Sequence, residues 1–260
     1  MLQRGLIEAQ HLTLALAKTI VEGKDTGRPT RLPKLRSGDD FLVLTFFTVA
    51  LGAFNWGIRI LLVKPIVRRL LRTKHNQFEK KISPCREQKV DKFSQTAMEL
   101  LFYGLFSYMN CVVFFSQKWS WPSVHWWIDY EKVDTISQYS IHSYMTDTVA
   151  AYFLLYGARY TQSVLSVFIE HRRKDFIEMQ IHHFVVVSLV VLAYYFGWIR
   201  IGLAIMVVQD PADVPLHAAK MLKYLGDARC PENPKNFYQV YLFCYNRYLV
   251  RSLVFWSSQK

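Results

Sequence analysis

An all-α, polytopic bundle of membrane-spanning helices is the fold class this sequence predicts, and three observations predict it. Of the 260 residues, 52% are hydrophobic and 15% aromatic. They gather into runs of bilayer length, since crossing the hydrocarbon core takes roughly 20 apolar residues. Between the runs, Lys and Arg collect on particular connections instead of spreading over a soluble surface.

Taken in chain order, the elements begin with residues 1–20. Glu8, His11 and Lys18 break up the apolar residues there, so the stretch lacks a signal-peptide pattern. It reads as a helix, either amphipathic and interfacial or simply solvated. Residues 22–40 are rich in Gly, Pro, Arg and Lys and read as a linker. The chain thus divides into an N-terminal extension, 1–40, and a membrane domain, 41–260. Six spans are expected in that domain, at 41–63, 97–115, 145–169, 181–199, 199–220 and 237–256. Asn55 and Arg59 interrupt the first and Asn110 the second, which suits helices facing other helices rather than lipid alone.

The net charge of +12 raises the question of nucleic acid, but no soluble domain is available to carry a basic face. Between Lys64 and Lys92 there are ten Lys/Arg against three acids, while 116–144 holds two Lys against three acids. Basic residues near span ends favour the cytoplasmic side. Residues 64–92 are therefore expected in the cytoplasm, and 116–144, with the N-terminus, in the lumen. The four cysteines (Cys85, Cys111, Cys230, Cys244) follow no metal-binding spacing and read as unpaired thiols.

Four polar residues stand out. His182 and His183 head the apolar run FVVVSLVVLAYYF, and Asp210 and Asp213 interrupt the next apolar stretch. Ionisable groups inside a membrane segment are costly and mark a functional site by default. The histidines lie nine to ten residues past the basic edge at Arg173, about 15 Å of helix. The aspartates lie seven and ten residues before the opposite basic edge at Lys220, so both pairs are expected at similar depth on antiparallel neighbours. Plainer readings stand beside this one. The histidines could be satisfied polar residues between helices, and Asp210–Pro211 reads as an N-cap with proline at the first helical position. The two readings are compatible, because a helix broken at a buried site is a common way to build one. Adjacent histidines project about 100° apart on a helix, unlike the i, i+4 pair of H-E-x-x-H zinc sites, so no metal is expected. No G-x-S-x-G elbow is present. What remains is acid–base or nucleophilic chemistry by an imidazole supported by a carboxylate.

These residues form part of a longer pattern: E-x-R-R-x-D-x(6)-H-H, then R-x-G, D-x-x-D and K-M-x-K-Y. It is carried by Glu170, Arg172, Arg173, Asp175, His182, His183, Arg200, Gly202, Asp210, Asp213, Lys220, Met221, Lys223 and Tyr224. The pattern, over about 170–224, resembles the Lag motif of ceramide synthases, within the TLC-domain membrane proteins. Lys92–Phe93 and Trp121–Pro122 resemble the family's K-F and W-P upstream, so the resemblance covers roughly 90–256. Departures are Gln209, where the family usually has histidine, Pro211 and Pro215 within the D-x-x-D helix, and Gln95 and Met98 for Glu and Trp. The chain ends at Lys260, where the family has at least one further span, so a C-terminally truncated chain is expected.

The resemblance implies sphingoid-base N-acylation. An acyl group passes from acyl-CoA, a substrate rather than a cofactor, to the amine of sphinganine or sphingosine. His182 or His183 would be the general base, or a nucleophile that carries the acyl group first; both routes stay open. Asp210 and Asp213 would orient or charge-stabilise an imidazole, or hold the substrate ammonium. Arg172, Arg173 and Lys174 would meet the CoA phosphates, or only anchor the cytoplasmic edge. A multi-pass protein of the endoplasmic reticulum membrane is implied, as a monomer or as a homo- or hetero-dimer. A non-catalytic TLC protein in lipid sensing or protein trafficking is the alternative.

Overall fold

In the computed structural model the described residues are 2–25, 38–70, 84–126, 145–169 and 176–229. Among them the fold is helical: α1 (Leu2–Glu22), α2 (Asp39–Ile58), a π turn (Arg59–Val63) leading into α3 (Lys64–Leu70), α4 (Pro84–Phe115), α5 (Asp147–Ile169), α6 (Phe176–Tyr195) and α7 (Ile199–Arg229). A single 3₁₀ turn, Ser123–Trp126, follows α4. Five of the six expected spans coincide with helices, and 237–256 lies outside the described residues. The helix from Asp39 to Arg69 and the stretch Val90–Phe115 are long and apolar enough to cross a membrane; Met179–Tyr195 is apolar but shorter.

The chain divides into two units, Met1–Phe54 with Tyr108–Val207, and Asn55–Ser107 with Val208–Lys260. The first is built around α5, which is buried on nearly every side: Ala150, Ala151, Tyr152, Phe153 and Ala158 are each at most 1% exposed. Small residues let its neighbours come close, as is usual where membrane helices pack without a hydrophobic drive between them. A Cβ on Gly157 would touch Leu44 of α2 and Val190 of α6 at 3.4 and 3.5 Å. α1 buries Ala9, Leu12, Leu16 and Thr19, a 3-4-3 spacing that makes one helical stripe. That stripe lies on α5, where the Thr19 and Thr148 hydroxyls are 3.0 Å apart. The N-terminal helix is thus a packed member of this unit.

α6 is apolar all round. Val186, Val190, Ala193 and Tyr194 are buried, while Ile181, Phe184, Leu189, Leu192 and Tyr195 are exposed. A helix apolar on every side is built for lipid or a core rather than water. Gly197, at φ 76°, takes the left-handed conformation that ends the helix, and α7 starts two residues later. At the start of α2, the wholly buried Asp40 accepts a 3.0 Å hydrogen bond from the Tyr194 hydroxyl. Its place in the first helical turn adds the positive end of the helix dipole.

The second unit is held by polar pairs that the π turn and α3 make with α4. Arg59, 9% exposed, donates from Nε to Ser94 Oγ at 3.4 Å, Lys64 lies 2.6 Å from Asp91, and Arg68 pairs with Glu87. Val67, Val90 and Phe93 form a small core beside these pairs, with Val63, Ala97 and Met221 around it. The π turn between Arg59 and Val63 is closed by the Lys64 N–H on the Arg59 carbonyl. Pro65 supplies its cause, since a proline ring in a regular helix clashes with the carbonyl four residues back and a wider turn relieves it.

The break expected at Asp210–Pro211 does not occur. α7 runs unbroken through Pro211 and Pro215, so Asp210 is not an N-cap. Each proline removes only its own N–H from the ladder. Ending the helix would leave several more backbone groups without partners.

Candidate functional site

In the first unit, the histidine pair sits where α6 meets α5. The buried stripe of α6 begins at His183, 5% exposed, and continues at Val186, Val190 and Ala193. His182, about 100° round the helix, falls outside the stripe and is exposed. Both rings lie against Tyr160 of α5, with centroids 5.7 Å away for His183 and 6.5 Å for His182. The imidazoles are 5.6 Å apart. Tyr160 is the last of three buried tyrosines one turn apart, Tyr152, Tyr156 and Tyr160. The Tyr156 hydroxyl donates to that of Tyr160 at 3.4 Å. Arg159, Gln162 and Ser163, in the same part of α5, are also buried; Arg159 donates from Nη1 to Gln162 Oε1 at 3.0 Å and to the Ser163 hydroxyl. Near the start of α6, Gln180 reaches the Val164 carbonyl at 3.5 Å.

In the second unit, Asp210 is 2% exposed and Asp213 partly buried. Spacings of three and four residues put Asp210, Asp213 and His217 on one face of α7. His217, 1% exposed, completes a polar cluster with α4. Its Nδ1 lies 2.9 Å from the Asp213 carbonyl, its Nε2 lies 3.2 Å from Glu99 Oε2, and its ring stacks on Tyr103 at 4.6 Å. Gln209, the departure from the motif's histidine, is exposed and so lies off the face that buries Asp210.

Sequence reasoning singled out the two pairs but missed their neighbours. The tyrosine ladder has a legible i, i+4 spacing, and His217 stands four residues after Asp213. Glu99 stands near one end of an expected span, but nothing marked its partner, which is 118 positions away in the chain. Two other motif residues shape the first unit. Arg200 donates to the His125 carbonyl at 3.0 Å and lies over the Trp119 ring. Gly202 packs so tightly that a Cβ there would meet Ala193 at 3.0 Å and Phe153 at 3.2 Å. Arg172, Arg173 and Lys174, with Glu170 and Asp175, lie outside the described residues.

Comparison with known proteins agrees with the motif. The family model of the TLC domain matches residues 92–258. Over 136 residues the chain is 34% identical to sphingosine N-acyltransferase lag1 of Schizosaccharomyces pombe, covering 52% of this chain and 32% of that protein. It is 30% identical over 161 residues to ceramide synthase 3 of Mus musculus, covering 62% of this chain and 37% of that one. With the ASC1-like protein of Solanum lycopersicum it shares 24% over 191 residues, 73% and 61% of the two chains. The chain therefore spans about a third of the first two relatives' lengths. The matched region, more than half of the chain, contains both polar pairs, the buried tyrosine ladder and the apolar helix that carries the histidines. On that ground this membrane protein belongs to the TLC-domain family, with the ceramide synthases as its relatives within it.

Proposed function

We propose that this protein is a sphingoid-base N-acyltransferase, a ceramide synthase that crosses the endoplasmic reticulum membrane several times. The observation that carries the reading is the complete set of His182, His183, Asp210 and Asp213 within a TLC domain, with His183 and Asp210 both buried. Burying ionisable groups costs free energy that packing alone would not require.

The chemistry asked of these groups is limited. A sphingoid ammonium loses a proton to become nucleophilic, its nitrogen attacks the thioester carbonyl, the C–S bond breaks, and CoA leaves as the thiol. One proton is released for each amide formed. An imidazole is the side chain suited to take the amine's proton near neutral pH. His183, held against Tyr160, has the fixed orientation a base needs; His182 is more open to substrate. In the second route an imidazole nitrogen attacks the thioester first, and the amine then attacks the acyl-imidazole. Asp210 and Asp213 would stabilise an imidazolium or hold the ammonium of the incoming base. Arg172, Arg173 and Lys174 would meet the CoA phosphates, six spans would enclose the lipid chains, and a homo- or hetero-dimer fits the same scheme.

Membranes containing the protein, given sphinganine and acyl-CoA, should yield the N-acyl product. His183→Ala should lower the rate by about 100-fold or more, the usual worth of a positioned general base. If His182→Ala and His183→Ala both leave the rate untouched, the histidine site is misassigned. Gln209, in place of the motif's histidine, is the observation that favours a non-catalytic TLC protein; absence of product from the unsubstituted chain would support that second reading.

A further inference from the structure

His217 is a buried titratable group for which the proposed chemistry has no task. Its surroundings define its hydrogen atoms. The Asp213 carbonyl, 2.9 Å from Nδ1, only accepts, so Nδ1 carries a proton. Nε2 then faces a Glu99 oxygen at 3.2 Å. That contact has the distance of an ion pair without the alignment of a hydrogen bond. With Tyr103 stacked on its face, the ring is fixed in position and tilt.

The carbonyl it reaches is a telling one. In a regular helix the Asp213 carbonyl already receives the backbone N–H of residue 217, and a carbonyl has room for a second donor. The second bond falls in the stretch of α7 where Pro211 and Pro215 remove two ladder donors. The helix is weakest along the turns that carry Asp210 and Asp213, and there a side chain adds a bond back. Glu99 fastens the same ring to α4, so the weakened turn is tied to a second helix of its unit.

We propose that Glu99 and His217 are positioning residues that set the carboxylate face of α7. Glu99 holds the ring, and the ring's Nδ1–H holds the turn of Asp213. The functional side of this proposal rests on the acyltransferase reading above; the structural side does not. Neither residue touches substrate in this account.

The test compares Glu99→Ala with Glu99→Gln in the full 260-residue chain in its membranes. The glutamine amide can donate to Nε2 of a neutral ring whose Nδ1–H still reaches Asp213, so it preserves the tie that alanine removes. Glu99→Ala should lower kcat about tenfold, the size expected for losing a contact that positions a reacting group, with KM for acyl-CoA within about twofold. Glu99→Gln should recover most of that loss. Hydrogen exchange of the α7 amides around Asp213 should quicken in the alanine variant and not in the glutamine variant. The proposal is overturned if Glu99→Ala exchanges and turns over like the unsubstituted chain, or if Glu99→Gln is as impaired as Glu99→Ala. Should the unsubstituted chain make no N-acyl product, the acyltransferase reading fails while the exchange comparison still decides the pair.

Discussion

The histidine site of the first unit and the carboxylate site of the second are built by different means. His182 and His183 are placed by packing: an apolar helix, a tyrosine ring beneath both imidazoles and close approaches at Gly157 and Gly202. Asp210 and Asp213 lie on a helix interrupted by two prolines, in a unit braced by Arg59–Ser94, Lys64–Asp91, Arg68–Glu87 and Glu99–His217. Packing tolerates small changes of polarity and punishes changes of shape. A polar brace does the opposite. The two polar pairs should therefore fail to different substitutions.

The largest expected effect breaks the carboxylate side without altering shape. Asp210→Asn, nearly isosteric, should lower N-acylation by about 100-fold, about 2.7 kcal/mol of transition-state stabilisation. Asp213→Asn should cost less, because Asp213 is only partly buried; equal losses would show that exposure does not grade the two. Next is Tyr194→Phe, which takes a donor from the buried Asp40. Losing a hydrogen bond to a charged group should cost about 2 kcal/mol, seen as a lower midpoint in a thermal melt in detergent with the fold otherwise kept. Gly202→Ala tests packing alone, since its Cβ would meet Ala193 at 3.0 Å. Overpacking of this kind should cost about 1–2 kcal/mol in the same melt, and an unchanged midpoint would show that α6 and α7 separate easily. The smallest effect belongs to Tyr160→Phe, which keeps the ring against both histidines and loses the Tyr156 hydroxyl contact. Turnover within about twofold is expected, under 0.5 kcal/mol; a much larger drop would turn the tyrosine ladder from packing into chemistry.

The helical part of the fold class was legible in the apolar runs, and five of them emerged as helices. The place of α1 was less so. Its 9-12-16-19 stripe is in the sequence, but Leu6, Ile7 and Leu14 on its exposed side blur the contrast that would separate a packed helix from an interfacial one. Asp210–Pro211 misled for a physical reason: the cap-and-proline signature describes helix starts in water, where broken backbone bonds are satisfied cheaply. The polar pairs themselves stood out because each lies among residues that lipid would favour. The pairing of Glu99 was illegible, as an acid near the end of an apolar run acquires a partner only when another helix brings a ring to it.

The π turn at Arg59 has a consequence for deletion. Residues five apart in an α-helix point about 140° apart, yet Arg59 and Lys64 both reach α4. The wide turn acts as a phase corrector, absorbing one surplus residue so that the basic side chains on either side share a bearing. With one residue removed between Ile60 and Val63, Arg59 and Lys64 would stand four positions apart, about 40° in a regular helix, so the turn would close with Lys64 and Arg68 still facing Asp91 and Glu87.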